Sequence, residues 1–155
     1  MKRKWTPGDF AGRSRFWSSP SHRIASMSAT PESGQLADLN PIAVTELAER
    51  AGEGPVVMLN LLDFKPAGGF ERYAEYAEAV TPLLDKVGGR VVFSGNANVP
   101  VIGPSKWDMV ILVEYPTRQA FLDMTSSPEY VAIAHLRSEG LERSELHPLD
   151  PQLPG

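Results

Sequence analysis

An α+β sandwich in the order β-α-β-β-α-β, with one further helix in front of it, is the fold class that this sequence predicts. Three observations carry it. Two stretches, "PVVMLNLLDF" (55–64) and "WDMVILVEY" (107–115), are rich in Val, Leu, Ile and Met and short enough to be strands. Between them, "GGFERYAEYAEAVTPLLDKVGG" repeats apolar residues at three- and four-residue spacing, the period of a helix with one buried face. Beyond them, "SSPEYVAIAHLR" opens with a serine and a proline placed to start another helix.

The elements follow in order. Asn40 is placed to accept from an unpaired N–H as N-cap, Pro41 suits the first helical position, and Gly52 can end a helix running from Pro41 to about Ala51. The strand 55–64 is so nearly continuous in apolar residues that it reads as buried on both faces. In the long helix, Phe70, Tyr73, Ala77, Val80 and Leu84 share a face and Gly88 suits a left-handed stop. Pro82 has no N–H to give the carbonyl of Glu78 and should kink it. "RVVFSG", with a hairpin-like continuation through "VPVIG", is expected as a second strand region.

In the third strand, alternation puts Trp107, Met109, Ile111, Val113 and Tyr115 on one face, and Pro116 ends it. A helix from about Thr117 to Met124 comes next. Ser127 then caps another, with Pro128 at its first position and Glu129 in its first turn, beside the positive end of the helix dipole. "RSELHPL" closes the chain as a short strand. From Pro55 onward this is the split βαβ, or ferredoxin-like, arrangement.

The chain of 155 residues holds one domain, expected over 38–155, behind a basic arm, 1–37, expected to be disordered. In residues 1–31 Lys2, Arg3, Lys4, Arg13, Arg15 and Arg23 stand against Asp9 alone, so the rest is more acidic than the net charge of −4. An acidic body repels phosphates and the arm contains no nucleic-acid-binding module, so no nucleic-acid partner is expected. The arm has the Arg and Ser content of a transit peptide. Its plainer readings are a disordered tail or an over-extended reading frame, with Met27 as an alternative start.

Absence of cysteine removes disulfides, zinc–cysteine sites, iron–sulfur clusters and thiol catalysis, and fits a cytoplasmic location. The longest apolar run, Val56 to Leu59, is far too short to span a membrane, and no membrane partner is expected. No H-x-x-x-H, H-E-x-x-H or calcium-loop pattern occurs, nor G-x-S-x-G, GxGxxG or a P-loop. Neither a metal nor a cofactor is expected.

The segments "GPVVMLNLLDFKP", "YAEYAEAVTPLLDKVGGRVVFSG", "WDMVILVEYP" and "SPEYVAIAHLR", in that order, together resemble the domain of unknown function 1330 family from about Gly54 to Pro151. The resemblance implies a ferredoxin-like domain of the dimeric α+β barrel superfamily, in which two sheets pack face to face across a two-fold axis. It implies little chemistry, because the family has no established general activity. After His135 the correspondence loosens, since relatives often read "HRTAAL" where this chain has "HLRSEGLERSEL".

Homodimer formation is also expected from the strands themselves. "VVMLNLL" and "MVILV" are apolar on both faces, whereas helices on one side of a sheet bury only one. A partner sheet would cover the second face with one self-complementary surface. The leading helix is the competing cover, at about 16 Å for eleven residues too short to shield four strands.

Candidate site residues follow from the same reading. Asn60 interrupts an apolar strand, and its amide either orients a ligand or bonds to neighbouring backbone. His135 is a candidate general base or metal ligand, set against a plain surface or dimer-contact histidine. Asn60 and His135 are the candidate catalytic pair. Tyr76, Trp107, Tyr130 and Arg137 are candidate substrate-binding residues. Tyr130 and Arg137, seven apart, share a helix face, while His135 lies roughly 140° from Tyr130. "SSPEYVAIAHLR" is therefore mainly a packing helix with one functional edge. Trp107 either walls a pocket or plugs the core. Of Tyr73 and Tyr76, at least one belongs to the core. Glu114 is expected in an ion pair or in solvent.

Two function classes stay open. One is a small organic molecule bound or transformed between sheet and helices, since barrels of this kind include cofactor-free monooxygenases, cyclases and isomerases. Haem-degrading relatives use Asn, Trp and His, but this chain has Phe121 where their helical tryptophan would stand, and Trp107 lies on a strand. The other class is a dimeric binding or scaffold protein without catalysis.

Overall fold

In the computed structural model, residues 40–152 are described. The expectations for the arm, including Met27 as a start, lie outside them. The elements are α1 (Pro41–Glu49), β1 (Val56–Phe64), α2 (Gly69–Lys86), β2 (Arg90–Asn96), β3 (Met109–Tyr115), α3 (Arg118–Ser126), α4 (Pro128–Gly140) and β4 (Leu141–Leu149).

Local chemistry starts three of the helices where the sequence places them. Asn40 Oδ1 accepts from Ile42 N–H at 3.0 Å, Thr117 Oγ1 from Ala120 N–H at 3.1 Å and Ser127 Oγ from Tyr130 N–H at 3.2 Å. Each satisfies one of the N–H groups that a first helical turn leaves unpaired. Gly88, at φ 77°, takes the left-handed conformation that follows the end of α2. That helix runs uninterrupted through Pro82, where the missing bond frees the carbonyl of an exposed Glu78.

The sheet order is β2-β3-β1-β4 and every pair is antiparallel. With the βαββαβ order this is the ferredoxin-like fold. Register fixes the faces. Val56, Met58, Asn60, Leu62 and Phe64 of β1 are buried, and opposite them Met109, Ile111 and Tyr115 of β3 are buried too. Against this face pack Leu47 from α1, Tyr73, Tyr76, Ala77 and Leu84 from α2, Met124 from α3 and Tyr130, Ile133 and Leu136 from α4. All four described helices thus cover one side.

Three expectations change. "VPVIG" is not strand: residues 97–108 form a loop in which Val99, Val101 and Ile102 are exposed, Gly103 has φ 103° and two prolines interrupt any ladder. β1 is buried along one face; on the other Val57, Leu59 and Leu61 are half-buried and Asp63, near its end, is buried. β4 is two residues longer than expected and starts directly from α4.

The leading helix does not cross the open side of the sheet. Leu47 buries it beside Val56, Met58, Leu84 and Met124, within the helix layer. Among the described residues nothing covers Val57, Leu59 and Leu61 of β1 with Val110 and Leu112 of β3.

Asp108 organises one end of the sheet. Its Oδ2 accepts from Phe64 N–H at 2.8 Å, its own N–H donates to Leu62 O at 2.8 Å, and its carbonyl accepts from Ala97 N–H at 2.9 Å. The side chain thereby occupies a backbone donor at the irregularity between Asp63 and Phe64.

Candidate functional site

The helix layer stops short of β4, and that gap defines the site. Directly opposed residues of an antiparallel pair share a face, so Pro148, Leu146 and Ser144 lie on the same side as their β1 partners Met58, Asn60 and Leu62. The β1 residues are buried, whereas all three β4 residues are exposed. Among the described residues nothing buries these three positions of β4, and α4 lies beside them.

α4 is held against α2 by a close backbone approach. A Cβ on Gly140 would meet Gly69 O at 2.6 Å and Tyr73 N at 2.8 Å, so only glycine fits there. One turn upstream, Arg137 reaches toward β4, with Nη1 3.5 Å from Ser144 Oγ, a contact at the outer limit of a hydrogen bond. Its Nη2 is buried with no hydrogen-bond partner among the described residues.

A tyrosine cluster lies behind Arg137. The rings of Phe64 and Phe70, Phe64 and Tyr73, Tyr73 and Tyr76, and Tyr76 and Tyr130 follow one another at centroid separations of 5.4, 5.5, 5.4 and 6.3 Å. These are edge-on and tilted contacts of the kind aromatic quadrupoles favour. The Tyr76 and Tyr130 hydroxyls lie 3.3 Å apart, and either can donate to the other. Burial pushes the Tyr73 phenol up to about 12, the positive charge of Arg137 opposing part of that shift. Burial likewise pushes Tyr76 well above the ordinary tyrosine range, and Tyr115 above it. Near neutral pH these three phenols are neutral hydrogen-bonding groups and not bases.

Asn60 lies on the same face, one strand in from Leu146. Its Nδ2 donates to Met58 O at 3.3 Å and Ile111 O at 3.4 Å, both long. No donor among the described residues reaches its Oδ1. The amide is thus partly held by backbone, as one of its two sequence readings expects.

The structure brings Tyr76, Tyr130 and Arg137 to this corner. It does not bring His135 or Trp107. His135 is exposed on α4, away from the face shared by Tyr130 and Arg137. Trp107 precedes β3 and is half-buried beneath Arg143, whose guanidinium carbon sits 3.9 Å from the ring centroid. Arg143 also pairs with the buried Asp63 at 3.6 Å. That end carries a shallow open depression lined by Asp63, Pro104, Ser105, Lys106, Glu142 and Arg143. Sequence reasoning missed Ser144, because only β1–β4 register places it beside Arg137. Among the described residues no group of three His, Asp or Glu could hold a metal, and no helix is long and apolar enough to cross a membrane.

Comparison with known proteins agrees with the topology. A protein of unknown function from Rhodopseudomonas palustris is 32% identical, with 76% of this chain and 97% of that one covered and a TM-score of 0.71. An Arabidopsis thaliana protein at 14% identity, covering 64% of this chain and 98% of its own, superposes with a TM-score of 0.51 and shares the fold alone. A protein of unknown function from Bacteroides fragilis, described as dimeric and ferredoxin-like, is 15% identical over 63% of this chain and 97% of its own, with a TM-score of 0.45. No curated protein matches the chain. Residues 69–146 match the family described as "Domain of unknown function (DUF1330)", and with the Rhodopseudomonas relative this places the chain as a member of that family.

Proposed function

We propose that this protein is a cytoplasmic homodimer that binds a small organic molecule in the groove between α4 and the helix-facing side of β4. The observation that carries the binding reading is the uncovered stretch of β4. Ser144 and Leu146 are exposed on a face whose β1 positions are buried, next to a cluster of neutral phenols and an arginine. A pocket of this type combines apolar walls with a few placed polar groups. Asn60 is the amide that would orient a ligand from the floor. The test is two-dimensional NMR of the labelled protein against a panel of small aromatic and aliphatic compounds. Saturable shifts centred on Ser144, Leu146 and Arg137 are expected, and a panel with no response there sinks the reading.

The dimer reading rests on the other face. Val57, Leu59, Leu61, Val110 and Leu112 form an apolar surface that no described element covers, and Phe93 of β2 stands exposed beside it. A second copy buries such a surface with a symmetric one. Light scattering at micromolar concentration should give twice the chain mass, and Leu59→Glu with Leu112→Glu should give one. A wild-type monomer would overturn it. A dimer without chemistry of its own is the form that Asn60 favours, since backbone carbonyls already engage its amide nitrogen.

A further inference from the structure

We propose that Arg137 is an anion anchor and that the ligand it takes in this groove is a small organic monocarboxylate with an apolar body, an inference that rests on the groove reading above. The other arginines of the described residues set the contrast. Arg50 pairs with Glu46, Glu53 and Asp150, Arg72 with Glu75 and Glu139, Arg90 with Glu114, Arg118 with Asp150 and Glu53, and Arg143 with Asp63. Arg137 alone has no carboxylate among the described residues, although its Nη2 is buried.

A guanidinium nitrogen removed from water without a partner is a net cost to the fold. The Tyr73 hydroxyl meets the guanidinium, but Tyr73 and Tyr76 are neutral phenols and do not supply the missing negative charge. The last turn of α4 gives only the weak field of a helix C-terminus, and two of its carbonyls are occupied: His135 O by Ser138 Oγ at 3.2 Å and Gly140 O by Lys65 N–H at 3.0 Å. An anion entering over β4 would supply what Arg137 lacks.

The class of anion follows from the surroundings. The planar fork of a guanidinium matches a carboxylate with two parallel hydrogen bonds, and Ser144 Oγ stands beside Nη1 as a further donor. A phosphate dianion would call for a second cation. The nearest arginine along β4, Arg143, is taken up by Asp63 on the opposite face of the sheet. Leu146, two residues beyond Ser144 and on the same face, offers exposed apolar surface on which the ligand body would lie.

The experiment titrates the full chain with benzoate, benzamide and inorganic phosphate, followed by NMR and thermal shift, in wild type, Arg137→Met, Arg137→Lys and Ser144→Ala. Benzoate should bind saturably at Ser144 and Leu146 and raise the melting temperature, while benzamide and phosphate bind far more weakly. Arg137→Met should weaken benzoate by roughly tenfold to a hundredfold with its unliganded melting temperature retained; Arg137→Lys should recover part of the affinity. Equal binding of benzamide and benzoate would overturn the anion anchor and leave the groove standing. No binding of any of the three, or tighter binding of phosphate, overturns the monocarboxylate assignment, and the compound panel then decides separately whether the groove binds anything. An Arg137→Met chain that fails to fold overturns it too, since the guanidinium would then serve the fold.

Discussion

Two arginines of the helix layer meet opposite fates. Arg118, at the start of α3, is 3% exposed, yet it has carboxylates on two sides: Asp150 after β4, in a short hydrogen bond, and Glu53 after α1 at 3.8 Å. Arg50 joins the same carboxylates, at 2.7 Å to Glu53 and 3.0 Å to Asp150, and Gln119 N–H donates to Ala51 O at 3.1 Å. That corner ties α1, α3 and the end of β4 together. Arg137, near the end of α4, is better exposed as a whole, but its buried Nη2 has no hydrogen-bond partner among the described residues, and the guanidinium meets only the neutral hydroxyls of Tyr73 and Ser144. The difference teaches that burial of a charge is no guide to its role until the partners are counted. A cation whose partners are all in the chain is spent on the fold, and one without them is free to meet something else.

The comparison breaks most readily at Arg118. Arg118→Ala removes a buried stem as well as the cation, and is expected to cost about 3 kcal/mol, read as a fall of roughly 10 °C in melting temperature. Arg137→Met should cost less than about 1 kcal/mol or even stabilise, because methionine replaces an unpaired desolvated donor with a side chain of similar length. Equal losses in the two variants would erase the distinction between the corners.

pH separates the corners in opposite directions. The carboxyls of Asp150 and Glu53 are held below their usual range, in both cases first by the hydrogen bond from Arg50. A depressed carboxyl gives stability that is present above its unfolded value and lost as pH falls through the folded one, so the Arg118 corner loosens on the acid side, below about pH 4. Tyr73 has the reverse sign. Its folded value, about 12, lies above the unfolded value of 10, so its contribution is whole below pH 10 and falls as pH rises toward 12. The loss is roughly 2–3 kcal/mol for this one group. Alkaline unfolding should therefore begin above pH 10 and become shallower in Tyr73→Phe, whose acid limb stays unchanged. An unaltered alkaline limb would show that Tyr73 is not the titrating group.

The contrast also marks how far the sequence alone reaches. The starts of α1, α3 and α4 were legible, because Asn40, Thr117 and Ser127 act through bonds two or three residues away. The faces of β3 were legible from alternation, and so was the shared face of Tyr130 and Arg137, both being consequences of a fixed period; β1, read as buried on both faces from its continuous apolar run, was not. The loop 97–108 was misread because Val99, Val101 and Ile102 look like strand residues, and nothing local says that no neighbour pairs with them. The partners of Arg118 and the isolation of Arg137 were out of reach for the same reason. Asp150 stands 32 residues from Arg118, and the pairing depends on where β4 ends. Ser144 joins Arg137 only through the register that puts it opposite Leu62.

The smallest expected effect comes from Asn60, and it sharpens the comparison by asking the same question of an uncharged group. Its two hydrogen bonds, at 3.3 and 3.4 Å, go to carbonyls of Met58 and Ile111, and bonds this long return little of what burying the amide costs. Asn60→Leu exchanges that amide for a side chain of similar volume among Met58, Leu62 and Ile111, so stability should change by less than about 1 kcal/mol. If the amide belongs to the groove, the variant should keep its melting temperature and lose part of any benzoate response, with Arg137→Met losing more. A chain that unfolds on Asn60→Leu would instead align Asn60 with Arg118, as a polar group whose partners are the protein's own. A variant with full stability and full response would leave Arg137 and Ser144 to bind alone.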